Sequence, residues 1–172
     1  MPAFPSYSHR MPLPERDRES LPTTVDESTE EGPALRDAAA AASRAEADEA
    51  AAAELRERLR DGSLETIEPD ETIRPHLGEG ELVHGLRASA ILKAPGGDRA
   101  LGYGGTLYLT SRRLVHVGQV LLTVQLSDIV ETSLAAERLL LSLHDGEGFT
   151  LEIDQPRLFR TEIAAAMRAM RQ

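Results

Sequence analysis

Two runs of alternating residues, Arg138-Leu139-Leu140-Leu141-Ser142-Leu143 and Gly148-Phe149-Thr150-Leu151-Glu152-Ile153, flank the tetrapeptide His144-Asp145-Gly146-Glu147. Leu139, Leu141 and Leu143 recur at every second position, as do Phe149, Leu151 and Ile153, while Ser142, Thr150 and Glu152 between them are polar. A period of two is the signature of a strand with one dry and one wet face. Asp-Gly is the dipeptide best suited to the positive φ angles of a tight reversal, so this stretch reads as an antiparallel hairpin.

The same period extends in both directions. Val120, Leu122, Val124 and Leu126 alternate with Thr123 and Gln125, and Leu107 and Leu109 alternate with polar or small neighbours. Strands are expected over 82–92, 101–109, 112–117, 120–126, 128–134, 138–144 and 148–153, each dry on one face, with Gly118-Gln119 as a glycine-first two-residue turn. After Gln155-Pro156 the period becomes helical: Phe159, Ile163, Ala166 and Met170 make one apolar stripe, with Arg157, Arg160, Arg168 and Arg171 over much of the remainder. A curled sheet exposes apolar side chains at its open mouth, and the helix covers them.

Upstream of residue 80 the chain has a different character. Residues 1–33 mix proline with Ser, Thr and charge, as in Pro12-Leu13-Pro14-Glu15-Arg16-Asp17-Arg18-Glu19, which predicts a disordered tail. Residues 34–61 are Ala, Glu, Asp and Arg without an internal Pro or Gly, and predict a long helix. Its stripe of Ala38, Ala42, Ala45, Ala52, Leu55 and Leu59 is thin and broken by Glu49, so a solvated spacer is favoured over a coiled coil. Residues 62–80 read as a connector that docks Leu64, Ile67, Ile73 and Leu77 on the domain of residues 81–172, with Pro69 and Pro75 limiting any helix to a turn or two.

Composition removes several functional classes. The chain has no Cys, no Trp, no Asn and one Lys, Lys93, which excludes disulfides, thiolate chemistry and N-glycosylation. Residues 1–61 hold 8 basic and 14 acidic groups and residues 62–172 hold 11 and 15, for a net −10 overall. Neither half has the concentrated positive charge that displaces counterions from phosphate, so nucleic acid is not an expected partner. No apolar run reaches the roughly 18 to 20 residues that span a bilayer, and the start lacks a signal-peptide pattern, so a cytoplasmic protein is expected.

Tyr108-Leu109-Thr110-Ser111-Arg112-Arg113-Leu114-Val115 resembles the strand-turn-strand signature of bacterial pleckstrin-homology-like (PH-like) and GRAM domains. Leu126-Ser127-Asp128-Ile129 is similar to that family's step into the next strand, and Gly80-Glu81 to the pair that precedes its first strand. Coverage is about residues 77–172. The resemblance implies a mainly β, seven-stranded antiparallel split barrel of two roughly orthogonal sheets, capped by the C-terminal amphipathic α-helix. It also implies a non-enzymatic role in binding lipid headgroups, peptides or other proteins.

Phosphoinositide-binding members carry basic residues in and beside the loop between the first two strands. Here that loop is Lys93-Ala94-Pro95-Gly96-Gly97-Asp98-Arg99, and Arg112 and Arg113 of the next hairpin are the other candidates for an anionic ligand. The competing reading is that Lys93 and Arg99 solvate a loop while one of Arg112 and Arg113 pairs with a carboxylate and pins the hairpin.

Other patterns are weaker. Gly102-Tyr103-Gly104-Gly105 enters a strand rather than a helix, so it reads as a bend and not a phosphate loop. His9, His76, His84, His116 and His144 lack metal-ligand spacing, and Ser111, His116 and Asp128 lack the surroundings of a nucleophile, so no metal, cofactor or catalytic residue is expected. The expected function is a binding or adaptor module engaging a protein or peptide through an exposed strand edge or loop, with helix 34–61 as tether or self-association element. The alternative is a peripheral membrane adaptor that reads anionic lipid through Lys93, Arg99, Arg112 and Arg113.

Overall fold

The computed structural model describes residues 31–60, 62–93, 102–135 and 137–171. Alternating residues form seven strands: β1 (Val83–Lys93), β2 (Tyr103–Thr110), β3 (Arg113–Gly118), β4 (Leu122–Gln125), β5 (Ile129–Ala135), β6 (Arg138–Leu143) and β7 (Gly148–Ile153). Each lies within two residues of its expected limits. All neighbours are antiparallel in the order β4-β3-β2-β1-β7-β6-β5. The two halves meet on the long strand β1, which pairs with β2 from Val83 to Ile91 and with β7 from Ser89 to Lys93.

The sheet is not closed, because its end strands β4 and β5 are joined only through a short 3-10 turn, Leu126–Asp128. Helix α2 (Pro156–Ala169) fills the resulting mouth. Phe159, Ile163 and Ala166 are buried among Leu109, Leu126, Leu139 and Leu141. Met170, the last residue of the expected stripe, is instead 45% exposed, and Met167 packs on the core in its place. The helix ends at Ala169, and Met170 is its C-terminal cap.

The β3–β4 and β6–β7 turns both differ from two-residue hairpins. His116 pairs with Leu122, so the chain between β3 and β4 is longer than Gly118-Gln119, and Gly118 belongs to β3. In the β6–β7 turn, the Leu143 amide donates to Glu147 O (2.9 Å) and the Gly146 amide to Leu143 O (3.0 Å). His144-Asp145-Gly146 is thus a three-residue loop, with Gly146 alone at positive φ (84°), a conformation in which a Cβ is strained.

One wet face per strand fails for β2 and β3. Leu107 and Leu109 face the main core, yet Tyr108, Thr110 and Val115 on the other face are also buried. The connector covers them: Ile73, itself fully buried, joins Val83, Tyr108 and Val115 in a second core, and Ile67 and Leu77 pack against it. Ile67 also bridges to Val83 through its amide (2.8 Å).

Before the connector lies α1 (Glu31–Arg58). The expectation of disorder over residues 1–33 falls, but for Glu31 to Pro33, outside the described residues. Residues 34–44 of α1 are exposed, but Asp48, Ala52 and Leu55 are buried, with α2 as the helix that α1 packs on. The solvated-spacer reading is therefore corrected for the second half of α1. A buried acidic residue, invisible to an apolar pattern, helps dock it, because Asp48 Oδ2 and Oδ1 accept the amides of Arg157 (2.8 Å) and Leu158 (2.9 Å) at the start of α2.

Candidate functional site

The register of β1 and β2 decides how the four candidate basic residues relate. Val83 pairs with Thr110 at one end and Ile91 with Tyr103 at the other. Lys93 ends β1 beyond Ile91, whereas Arg112 and Arg113 belong to the β2–β3 hairpin beside Val83. At about 3.3 Å per residue, the two places are about 30 Å apart along the strand. Arg99 lies outside the described residues. The structure therefore brings Arg112 and Arg113 together and leaves Lys93 at the far end of the sheet.

Arg113 is committed inward. Its Nε and Nη2 donate to Glu81 Oε1 (2.9 Å) and Oε2 (2.7 Å), and Nη2 also donates to His76 O (2.7 Å). Thr110 Oγ1 donates to Glu81 Oε1 (2.6 Å) and accepts the Arg113 amide (2.9 Å), while the Gly78 amide donates to Glu81 Oε2 (2.8 Å). Burial works against the charge on Glu81, but the hydrogen bonds from Arg113, Thr110 and Gly78 outweigh it and hold the carboxyl at about 2. Hydrogen bonding to Glu81 in turn raises the Arg113 guanidinium above its ordinary value. Arg112, by contrast, is exposed and reaches only Glu79 O (3.2 Å). The residues that carry the family resemblance, Glu81, Thr110 and Arg113, thus fasten the connector to the β2–β3 hairpin.

Within the glycine run, Gly105 serves a close approach of two strands. Gly105 pairs with Gly118 across β2 and β3. A Cβ on Gly118 would meet Gly104 O at 2.3 Å, and one on Gly105 would meet Val117 O at 2.5 Å and the His116 ring at 2.7 Å. His116 is fully buried there among core side chains, its Nδ1 donating to Val120 O (3.2 Å) and its Nε2 without a hydrogen-bond partner. Ser111 Oγ accepts the Leu82 amide (3.2 Å), and Asp128 accepts from Ser127 (3.2 Å), so the three are bonded elsewhere rather than to one another. Among the described residues, no three His, Asp or Glu side chains converge as metal ligands.

Three depressions on the surface are lined by described residues. One of about 550 Å³ lies where β1 and β7 part, between Ala88, Ala90, Glu137, Arg138, Glu152 and Asp154. It is wide and shallow, and Glu137 is already bound to Arg157. A groove of about 460 Å³ runs between the ends of α1 and α2, lined by Leu59, Leu64, Leu82, Ala165, Ala169 and Met170. A third, of about 350 Å³, lies between β5 and α2, with Ile129, Val130, Met167 and Met170 as its apolar walls and His144 and Arg171 beside them. Val130 is 56% exposed, and among the described residues β5 pairs on one side only. Sequence reading missed this place, since exposure of Val130 depends on the gap between β4 and β5, which local pattern does not encode.

No family model matches the chain, and no curated protein does. Among solved structures, the chain is similar to the Vps36 N-terminal PH domain, with a TM-score of 0.50 at 20% identity, over 62% of this chain and 93% of that one. It also matches the C-terminal domain of an unknown protein from Leishmania infantum, with a TM-score of 0.40 at 14% identity, over 58% and 90% of the two chains. An unclosed seven-stranded antiparallel sheet, a C-terminal helix in its mouth and the likeness to the Vps36 domain together make the fold of residues 83–169 PH-like.

Proposed function

We propose that this PH-like domain is a non-catalytic module that docks an extended peptide segment of a protein partner along the free edge of β5. The observation that carries the reading is the unclosed seam: β5 offers unpaired backbone beside an apolar groove, with Val130 and Met170 56% and 45% exposed. Strand addition supplies main-chain hydrogen bonds, and an adjacent pocket supplies side-chain selectivity. Edges of this kind invite pairing unless covered.

The membrane reading has less support. Arg113 is neutralised by Glu81, and Arg112 stands about 30 Å along the strand from Lys93. Each basic group near an anionic surface contributes about 1 kcal/mol, too little for one or two against a net −10. No helix among the described residues is long and apolar enough to cross a membrane.

Selection of a random-peptide display library against the chain tests the proposal. An enriched motif is expected, whose binding weakens at least about tenfold in Val130→Asp and is unchanged in Arg112→Ala. Absence of enrichment, or binding indifferent to Val130→Asp, overturns it. Anionic vesicles run in parallel would bind only if the membrane reading holds.

A further inference from the structure

Helix α1 meets the domain over a short stretch. Asp48, Ala52 and Leu55 are 3%, 0% and 7% exposed, at spacings of four and three that put them on one face of the helix. Residues 34–44 stand clear of the domain, and the chain rejoins the main core only at Leu64. Ala52 and Leu55 belong to neither hydrophobic core, and nor does Ala165 of α2, although all three are buried. The α1–α2 seam is thus a layer of its own, outside the cluster that holds sheet and α2 together.

The polar groups of the seam divide in the same way. Gln155, which precedes α2, gives it no side-chain cap, and Asp48 supplies that cap from more than a hundred residues away. Beneath the seam, Glu162 is partly buried, its side chain 13% exposed, and burial raises its carboxyl above the ordinary value, yet its hydrogen-bonding partner is Arg87 of β1 (2.9 Å), which also lies over the Phe159 ring. Arg157 bonds Glu137 of the β5–β6 turn (2.8 Å) as well as approaching Glu49 of α1 (3.5 Å). If α1 departs, Glu162 loses the nearby charge of Arg58 but keeps Arg87, and Arg157 loses Asp48 (3.9 Å) and Glu49 but keeps Glu137. Only the amides of Arg157 and Leu158 lose their acceptor, and these would face water. A segment whose removal strands no buried polar group, and which shares no core with the remainder, can open separately from it.

We infer that α1 is a displaceable strap, held on α2 by Asp48, Ala52 and Leu55, which lifts with the PH-like sheet intact and uncovers the α2 face that includes Ala165. The lift also removes Leu59 from the wall of the 460 Å³ groove. This inference does not rest on the peptide reading, which concerns the opposite flank of α2, at β5.

Amide hydrogen exchange on the full chain tests it. In the wild type, amides of residues 48–58 are expected to exchange faster than those of β1, β2 and β7, through an opening that spares the sheet. Asp48→Ala should speed exchange of residues 48–58 and of the first turn of α2 by about five- to tenfold, the effect of losing a cap, and leave the sheet amides unchanged. Asp48→Asn, which keeps one acceptor oxygen, should fall between. Wild-type α1 amides that exchange only with the sheet, Asp48→Ala exchange equal to wild type, or sheet protection lost together with that of α1 would each overturn the strap. The wild-type measurement decides the matter even if Asp48→Ala does not fold.

Discussion

The guanidinium of Arg113 holds the carboxylate of Glu81 in a bidentate grip, Nε to Oε1 at 2.9 Å and Nη2 to Oε2 at 2.7 Å, across thirty-two residues of chain. Glu81 closes the connector and Arg113 opens β3, so this pair ties the segment before the sheet to the β2–β3 hairpin. The Glu81 side chain is 1% exposed and that of Arg113 24%, which makes the pair a largely desolvated one, with its lone pairs filled by Thr110 and Gly78.

Breaking one partner of such a pair leaves a buried charge without its counterpart. Arg113→Met is expected to lower unfolding stability by about 3 kcal/mol, while the neighbouring Arg112→Ala changes it by less than about 0.5 kcal/mol. Urea denaturation of the two variants checks this, and equal losses would show that the hairpin depends on neither guanidinium in particular.

The depressed carboxyl of Glu81 fixes the sign of an acid dependence. Its folded value, about 2, lies below the ordinary 4.5, so its contribution is fully present above about pH 5 and is lost as pH falls toward 2. A difference of this size is worth about 3 kcal/mol. The stability gap between wild type and Glu81→Gln, measured in urea from pH 7 to pH 2, should shrink by about that amount; a gap independent of pH would refute the assignment.

Two neighbouring glycines should respond oppositely to a methyl group. A Cβ on Gly118 meets backbone at 2.3 and 2.6 Å, whereas one on Gly104 meets nothing within 4 Å. Gly118→Ala is expected to cost about 1 to 3 kcal/mol and Gly104→Ala to stay within about 1 kcal/mol of wild type, by thermal or urea unfolding. Similar losses would mean that the strand approach at Gly118 is not what restricts that position.

Ile73 measures how far the domain extends upstream of the sheet. It is fully buried in the second core with Val83, Tyr108 and Val115. Ile73→Ala should destabilise the protein by about 2 to 4 kcal/mol, as a truncation within a packed core does. A loss below about 1 kcal/mol in denaturant would place the connector outside the cooperative unit.

Strand positions, the covering helix and the split-barrel class were legible in the sequence, because which face of an element is dry is written in the period of its own residues. Leu139, Leu141 and Leu143 need no distant partner to be read as one side of a strand, and Phe159, Ile163 and Ala166 are legible at helical spacing in the same way. Local pattern failed wherever burial was conferred by a segment far along the chain. Tyr108 and Val115 are buried because Ile73 covers the second face of β2 and β3, and Met170 looked inward until the helix ended.

The candidate site shows the same division. Lys93, Arg99, Arg112 and Arg113 could be picked out as the basic residues near two loops, but only strand register set Lys93 and Arg112 at opposite ends of the sheet. Glu81 and Asp48 gave no local sign that they are buried, since an acidic side chain enters a protein interior only when donors from elsewhere meet it. By itself the chain determined which face of each alternating strand, and which stripe of α2, turns toward the main core; tertiary structure alone decided which other side chains and which charges are buried with them, because that depends on Ile73, an Arg113 guanidinium or an α2 helix end arriving from tens of residues away.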